Sequence, residues 1–423
     1  MQKAGNMQYH KTEPCRMKIL QKASDEHCWW DFLDYKIEKQ HLSKHEERQI
    51  SDFIENRKYI SLCNDFQKGF FPRTLPVKMT INKMGTGKKR VVYTFPGDEG
   101  IFLKFIAFHL FDYDNQFSSN CYAFRRDFGV KEALRRLLKD RRADNSYCFK
   151  VDISNYFNSI NEELLIEKLG FLRQQDELLY GMFVRLLREK RVLERECVKE
   201  EMHGAMAGTP TAPFFANLYM TEIDCFFEKE DVLYFRYSDD ILLFAESKEL
   251  LETRKQQLYE KIARLDLAIN PKKEVLYSPG EAIEFLGFSY KDGEIDLSVS
   301  TIRKIKAKIR RKAEALRRWQ RKKGLPAEKA AIGFINAMNR QFYGYDAAGE
   351  WEDEFCWSRW FFPNLTTDAG LREVDAYMQQ YIRYVVTGRH YKGNFRIRYE
   401  TLKEWGYRSL VHEYYKASRV SVK

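Results

Sequence analysis

Three aspartates in this chain have the type and placement to act together on a phosphate. Asp152 closes the apolar run Phe149-Lys150-Val151, and Asp239-Asp240 lies in a turn between the apolar runs VLYF and ILLFA. Displacing pyrophosphate from a triphosphate requires charge to be neutralised on the attacking and leaving oxygens together, and two divalent cations held by two or three convergent carboxylates can do this. Magnesium prefers hard oxygen ligands, so such a site needs neither histidine nor cysteine. An Asp-Asp pair in a turn is common by itself, because turns favour Asp. Its setting is what distinguishes it here. A sheet that lays the strand ending at Asp152 beside the hairpin 232–244 brings all three acids to one edge, with the backbone carbonyl of Ile153 next to them.

The elements that must position these acids are legible as changes of period. Residues 1–70 alternate charged and apolar positions at roughly helical spacing, with no glycine between Asn6 and Gly69, which predicts helices. From Phe71 the pattern turns to strands, Leu75 to Ile81 and Arg90 to Phe95, joined by the basic turn 84–89. Stretches 101–116, 130–141, 161–190 and 247–265 read as helical, Tyr147 to Ile153 as a strand, and 274–290 as strand-like pieces. Residues 299–323 then carry twelve Lys or Arg against the single Glu314, a net +11 that equals the surplus of the whole chain. Ile302, Ile305, Ile309, Ala313, Leu316 and Trp319 recur there at three and four, predicting an amphipathic helix with a cationic outer face. A solvated charged helix is the plainer reading, but so many like charges on one helix favour a polyanionic partner. The region after Gly324-Leu325-Pro326 is rich in Trp and Tyr, a density that suits a core better than base stacking.

Composition bounds the rest. The chain has 423 residues and 72 Lys plus Arg against 61 Asp plus Glu, so nucleic acid leads as a partner, ahead of an anionic membrane surface. None of the eight cysteines pairs at the short spacing of a zinc knuckle, and the eight histidines are scattered, with no Ser-His-Asp or Cys-His arrangement. The amino terminus lacks the apolar core of a signal peptide, and no eighteen-residue apolar run occurs, so the expectation is a cytoplasmic protein without a membrane span.

Taken in order, FKVDISNYFNSI, AGTPTAPFFANLYM, FRYSDDILLFAES, INPKKEV and EFLGFSY resemble the successive palm motifs of bacterial reverse transcriptases. KKRVVYTFPGDEGIFLKFIAFHL and CYAFRRDFGVKEAL resemble their fingers motifs, and the basic helix falls where their thumb begins. The resemblance covers roughly 70–345 and is closest to the group II intron, retron and defence-associated members. It implies an α+β right-hand polymerase: a helical extension over 1–70, fingers over 71–147 with part of 161–205, a palm with an antiparallel sheet over 148–290, a helical thumb over 291–345 and an aromatic-rich region over 346–423.

The resemblance also assigns roles. It makes Asp152, Asp239 and Asp240, with the Ile153 carbonyl, the ligands of two Mg²⁺ ions, for which Mn²⁺ could substitute. Lys273 resembles the lysine that protonates departing pyrophosphate, and Lys88 and Arg90 the cations that grip the triphosphate. Phe157, five residues past Asp152, resembles the aromatic gate that clashes with a ribose 2′-hydroxyl. Gly208 and Pro210 resemble the bend that supports template and incoming base, with Asn217 on the helix beyond. Tyr237, Ser238, Leu286, Gly287, Arg303, Arg310 and Arg317 fall to primer and template. The chain departs from the pattern at Ala207, where glutamine is usual, and at Ala212, where serine is common. The implied activity is RNA-directed DNA synthesis from dNTPs, with a structured non-coding RNA as template, a DNA product and a role in antiphage defence. Two alternatives stand beside it: a retron or group II intron retroelement polymerase, and an RNA-binding splicing cofactor that no longer polymerises.

Overall fold

A computed structural model describes residues 17–40, 42–82, 89–344 and 356–420. Four helices open it: Ile19–Ala23, Glu26–Gln40, Lys44–Glu55 and Lys58–Gln67. They wrap the helix Gly97–His109 through Trp29, whose ring is fully buried and stacks on Phe105 with centroids 3.8 Å apart. The Ile19 N–H also donates to Asp176 at 2.6 Å, which fastens this layer to the middle of the chain.

Eleven strands, numbered in chain order, form three sheets among the described residues. The first sheet holds β1 (Val77–Asn82), β2 (Lys89–Thr94), β4 (Arg191–Glu194) and β5 (Cys197–Glu200), in the order β2-β1-β4-β5. Its β1–β2 hairpin is the one expected from the sequence, whereas the β4–β5 hairpin joins from a hundred residues downstream through a parallel contact at Val77 and Leu193. The central sheet has the order β6-β7-β3-β8, from β3 (Tyr147–Asp152), β6 (Tyr234–Tyr237), β7 (Asp240–Ala245) and β8 (Val275–Tyr277). The third is β9 (Ile283–Phe285), β10 (Phe288–Lys291) and β11 (Glu294–Leu297).

Because side chains alternate along a strand, β3 and β7 serve two cores. Phe149, Val151, Ile241 and Leu243 face the amino-terminal layer and the helices Ala212–Lys229 and Lys248–Arg264. Cys148, Leu242 and Phe244 face the third sheet and the carboxy-terminal helices. The sheet that carries the acids is thus clamped on both sides, and the α+β class expected from the sequence is borne out.

Two expectations need correction. The stretch 161–190 is not one helix. Asp176 caps a new one, Glu177–Arg188, through the Leu179 N–H, so the chain turns after Glu162–Lys168 and again after Leu172–Gln175. The basic helix does form, over Val299–Lys323, capped by Ser298 and ended by Gly324 at φ +63°. Its stripe is buried at Thr301, Ile305, Ile309 and Ala313, but Trp319 is 45% exposed because the stripe has left the packed seam by that turn. The seam is made with Ala327–Tyr343 and Ala369–Thr387. Carboxy-terminal aromatics such as Trp357, Phe361 and Tyr407 are mostly interior. There Asp375 accepts from the Tyr407 and Ser409 hydroxyls and the Leu410 and Val411 N–H groups, holding the last helix, Leu410–Val420. Among the described residues no helix is long and apolar enough to cross a membrane.

Candidate active site

The register of the central sheet gathers the three acids. Asp152 and Asp240 are direct cross-strand partners on β3 and β7. Tyr237 pairs with Asp240, so β6 and β7 are joined by Ser238 and Asp239 alone, a two-residue turn with Ser238 at φ +61°. The Ile153 N–H donates to the Asp239 carbonyl at 3.1 Å and the Asn270 N–H to the Asp152 carbonyl at 2.8 Å, which draws the turn, the end of β3 and the loop bearing Lys273 together.

The turn is held from behind by a residue that the sequence reading did not single out. Arg236 on β6 is fully buried and donates to both carboxylate oxygens of Asp224, at 2.6 to 3.0 Å, and to the Ser238 carbonyl at 3.2 Å. Tyr234 adds a hydroxyl to Asp224 at 3.1 Å. Asn217, expected at the template, is instead enclosed in this network: its amide donates to the Ala123 carbonyl at 2.7 Å and its oxygen faces Arg236 at 3.4 Å, so it has no surface to offer a nucleic acid.

On the open side the acids are short of partners. Lys273 Nζ lies 2.5 Å from Asp152 Oδ2. Lys150 Nζ stands 3.6 Å from Asp240 Oδ2 while donating to the Glu284 carbonyl at 2.8 Å. Asp240 Oδ1 is buried with no hydrogen-bond partner. Burial therefore pushes the Asp240 carboxyl up to about 6, against the pull of Lys150. Burial, and then the charge of Asp152, raises Asp239. Crowded carboxylates with an orphaned oxygen and oxygen-only donors fit a hard divalent cation. Among the described residues no set of three His, Cys, Asp or Glu side chains forms a ready-made cage.

The residues expected to meet a nucleotide lie around Phe157 and β2. Phe157 sits on the single turn Tyr156–Ser159, with its ring 6.0 Å from the Arg90 guanidinium and 6.1 Å from Phe124. Gly208, at φ +101°, presses on β2, where an added Cβ would stand 3.0 Å from the Tyr93 carbonyl. Pro210 follows it, leading into the helix Ala212–Lys229. Asn158, also missed, donates to the Val91 carbonyl and accepts from the Ala207 N–H. Lys88 lies outside the described residues.

The primer-side expectations divide. Leu286 and Gly287 form the turn between β9 and β10 at φ +54° and +91°. The Gly287 carbonyl accepts from the Ser298 N–H at 3.0 Å and the Thr301 hydroxyl at 2.8 Å, so the turn is bonded to the start of the basic helix. Tyr237 is half-buried, its ring 6.4 Å from Phe124, and Ser238 is buried in its turn. Arg303 and Arg310 are exposed on the helix. Arg317 is turned inward instead. It donates to the Tyr384 and Val385 carbonyls at 3.3 and 3.0 Å, because the last carbonyls of the helix Ala369–Thr387 need donors. Of the missed residues, Lys150 carried a signal: two positions before Asp152 in a strand, it must share that acid's face. Asn158 carried none.

With this geometry in place, likeness to known proteins can be set beside it. Residues 81–290 match the family described as reverse transcriptase (RNA-dependent DNA polymerase). The Escherichia coli retron Ec83 reverse transcriptase is 28% identical over 145 residues, which is 31% of this chain and 43% of that protein, so the chain matches less than half of the relative's length. Two solved telomerases are more distant. The apo enzyme from Candida tropicalis, truncated from the C-terminal domain, is 13% identical with a TM-score of 0.42 over 53% of this chain and 55% of that one. The Candida albicans enzyme in complex with a fragment of telomeric RNA is 12% identical with a TM-score of 0.40 over 84% and 68%. At those scores neither telomerase bears on the assignment.

Proposed function

We propose that this chain, whose residues 81–290 match the reverse transcriptase family, is an RNA-directed DNA polymerase of the right-hand fold that copies a partner structured RNA in defence against phage. The observation that carries the activity is the register of β3 on β7, which sets Asp152 opposite Asp240 with Asp239 in the adjoining turn. Bound there, two Mg²⁺ ions, or Mn²⁺ in their place, would neutralise charge on the attacking 3′-hydroxyl and the leaving pyrophosphate. Asp152, Asp239, Asp240 and the Ile153 carbonyl would hold them. Arg90 and Lys88 meet the triphosphate, Phe157 lies under the sugar, and Gly208 and Pro210 back the base pair. Lys273, 2.5 Å from Asp152, is placed to give a proton to pyrophosphate. The turn at Leu286 and Gly287 supports the primer end, and Arg303 and Arg310 meet the duplex backbone. In this reading β1 and β2 belong to the fingers, the central sheet is the palm and the basic helix opens the thumb.

Identity to a retron enzyme also favours a second reading, in which the copied RNA is encoded beside the gene and the element maintains itself. One experiment addresses activity and role. The protein is isolated with its co-purifying RNA, given labelled dNTPs and Mg²⁺, and the product sequenced, alongside Asp239→Ala with Asp240→Ala; the same pair is compared in a host challenged with a phage panel. The expected result is DNA complementary to one bound RNA, reduced about 10³-fold or more in the variant, as befits loss of metal ligands, and protection lost with it. RNA bound without DNA under any metal would leave a binding protein, and unchanged phage sensitivity would remove the defensive role.

A further inference from the structure

Phe157 has little local structure to hold it in place. Its helix is one turn long, Tyr156–Ser159, entered through Asn155 at φ +47°, and an isolated turn of that length has no stability of its own. The position of the ring is therefore set by what its neighbours are tied to. The Tyr156 hydroxyl donates to the Ala216 carbonyl, and the Phe157 carbonyl accepts from the Ala205 N–H at 2.8 Å. Both ties lead to the chain that enters or forms the helix Ala212–Lys229. Neither reaches β2, the strand that carries Arg90.

Asn158 makes that connection. Its side-chain amide donates to the Val91 carbonyl of β2 at 3.3 Å and its oxygen accepts from the Ala207 N–H of the bend at 3.0 Å. The bend and β2 are joined separately, Tyr93 N–H to the Ala207 carbonyl at 2.8 Å, so Asn158 closes a triangle of gate, bend and strand. Packing at the gate corner is close: a Cβ on Gly204 would stand 2.5 Å from the Phe157 carbonyl and 2.8 Å from the backbone of Asn158. Ala207 brings only a buried methyl, so its contribution here is its backbone, and Asn158 holds the N–H of that backbone.

We propose that Asn158 is a positioning residue for sugar selection: it fixes the distance of the Phe157 ring from Arg90 and the bend, and thereby how strongly the site prefers deoxynucleoside over ribonucleoside triphosphates. This rests on the reading of Phe157 as the sugar gate. Discrimination by steric exclusion depends on sub-ångström placement, so a loosened support lowers selectivity before it lowers turnover.

The test uses the full chain on a primed RNA template, with kcat and KM measured for dATP and ATP in wild type, Phe157→Ala, Asn158→Ala and Asn158→Asp. Phe157→Ala should cut the dATP to ATP preference by about 100-fold, and Asn158→Ala by about 10-fold through a lowered ATP KM, with kcat for dATP within about threefold. Asn158→Asp keeps the bond to the Ala207 N–H and loses the donation to Val91, so it should fall between, and it serves also if the alanine variant folds poorly. Relaxed preference in Phe157→Ala with wild-type preference in both Asn158 variants would overturn the role of Asn158 and leave the gate standing. A fall in kcat at unchanged preference would do the same. Unchanged preference in Phe157→Ala would instead remove the gate on which the inference rests.

Discussion

Asp224 and Asp240 serve the same hairpin under opposite conditions. Asp224 is fully buried and satisfied, taking three bonds from Arg236 and one from Tyr234. Asp240, at the mouth of the same two strands, has one lysine at 3.6 Å and an oxygen with no partner. The fold places its hydrogen bonds behind the turn, where they fix the backbone, and leaves the front acids underprovided, where the proposed function needs a cation. Stability and chemistry are thus divided between the two sides of one hairpin.

The sharpest way to break this contrast is from behind. Arg236→Met strands a buried carboxylate, and urea unfolding should show a loss of about 3–5 kcal/mol, since one partner of a buried pair has been removed. Adding Asp224→Leu should recover much of it. A loss below about 1 kcal/mol would mean that the pair contributes little to holding the turn.

At the front the sign reverses. Asp240 in the fold titrates near 6, above the ~3.9 of an unfolded aspartate, so the protonated form is the one the fold prefers. Its contribution to stability is complete below pH ~4 and is lost as pH rises through about 6. Asp240→Asn removes that titration, so without divalent metal the variant should gain on wild type by about 2 kcal/mol between pH 4 and pH 7. Thermal unfolding in chelator at both pH values checks it, and added Mg²⁺ should narrow the gap by stabilising wild type alone.

The smallest effect separates arginines on one helix. Arg303→Ser with Arg310→Ser should make the slope of log affinity for an RNA–DNA duplex against log salt shallower by about 2. Arg317→Ser should leave that slope alone and lower the melting temperature, because Arg317 holds the end of another helix.

What the sequence disclosed, and what it withheld, follows from how far apart the interacting residues lie. The acids were legible because each ends or interrupts an apolar run, and the basic helix because its period is local. Arg236 and Asp224 looked like two unrelated charges, one on a strand and one on a helix, and nothing local marks a pair that only tertiary packing brings together. The same distance hid Asn217, whose motif position suggested a nucleic acid contact while packing gave it a buried one. Arg317 shares the charge and spacing of Arg303 and Arg310, and a carbonyl terminus 67 residues downstream decides its direction. The β4–β5 hairpin went unread because its partner, β1, lies a hundred residues earlier.

The bond between the Gly287 carbonyl and the first turn of the basic helix has a mechanical side. That helix has 25 residues, so it is a rod about 37 Å long, its first turn bonded to the turn at Leu286 and Gly287 and its length packed on two further helices. A tilt of about 5° about that bond, taken together with the two helices packed on it, would carry its far end through about 3 Å, close to the ~3.4 Å between successive bases on a strand. Lys150 joins Asp240 to the Glu284 carbonyl, and Glu284 lies three residues from Gly287, so the fulcrum of the lever is wired to the acid itself. On the proposed function, a step of the duplex at the far end would be geared down to a small rotation at the carboxylates.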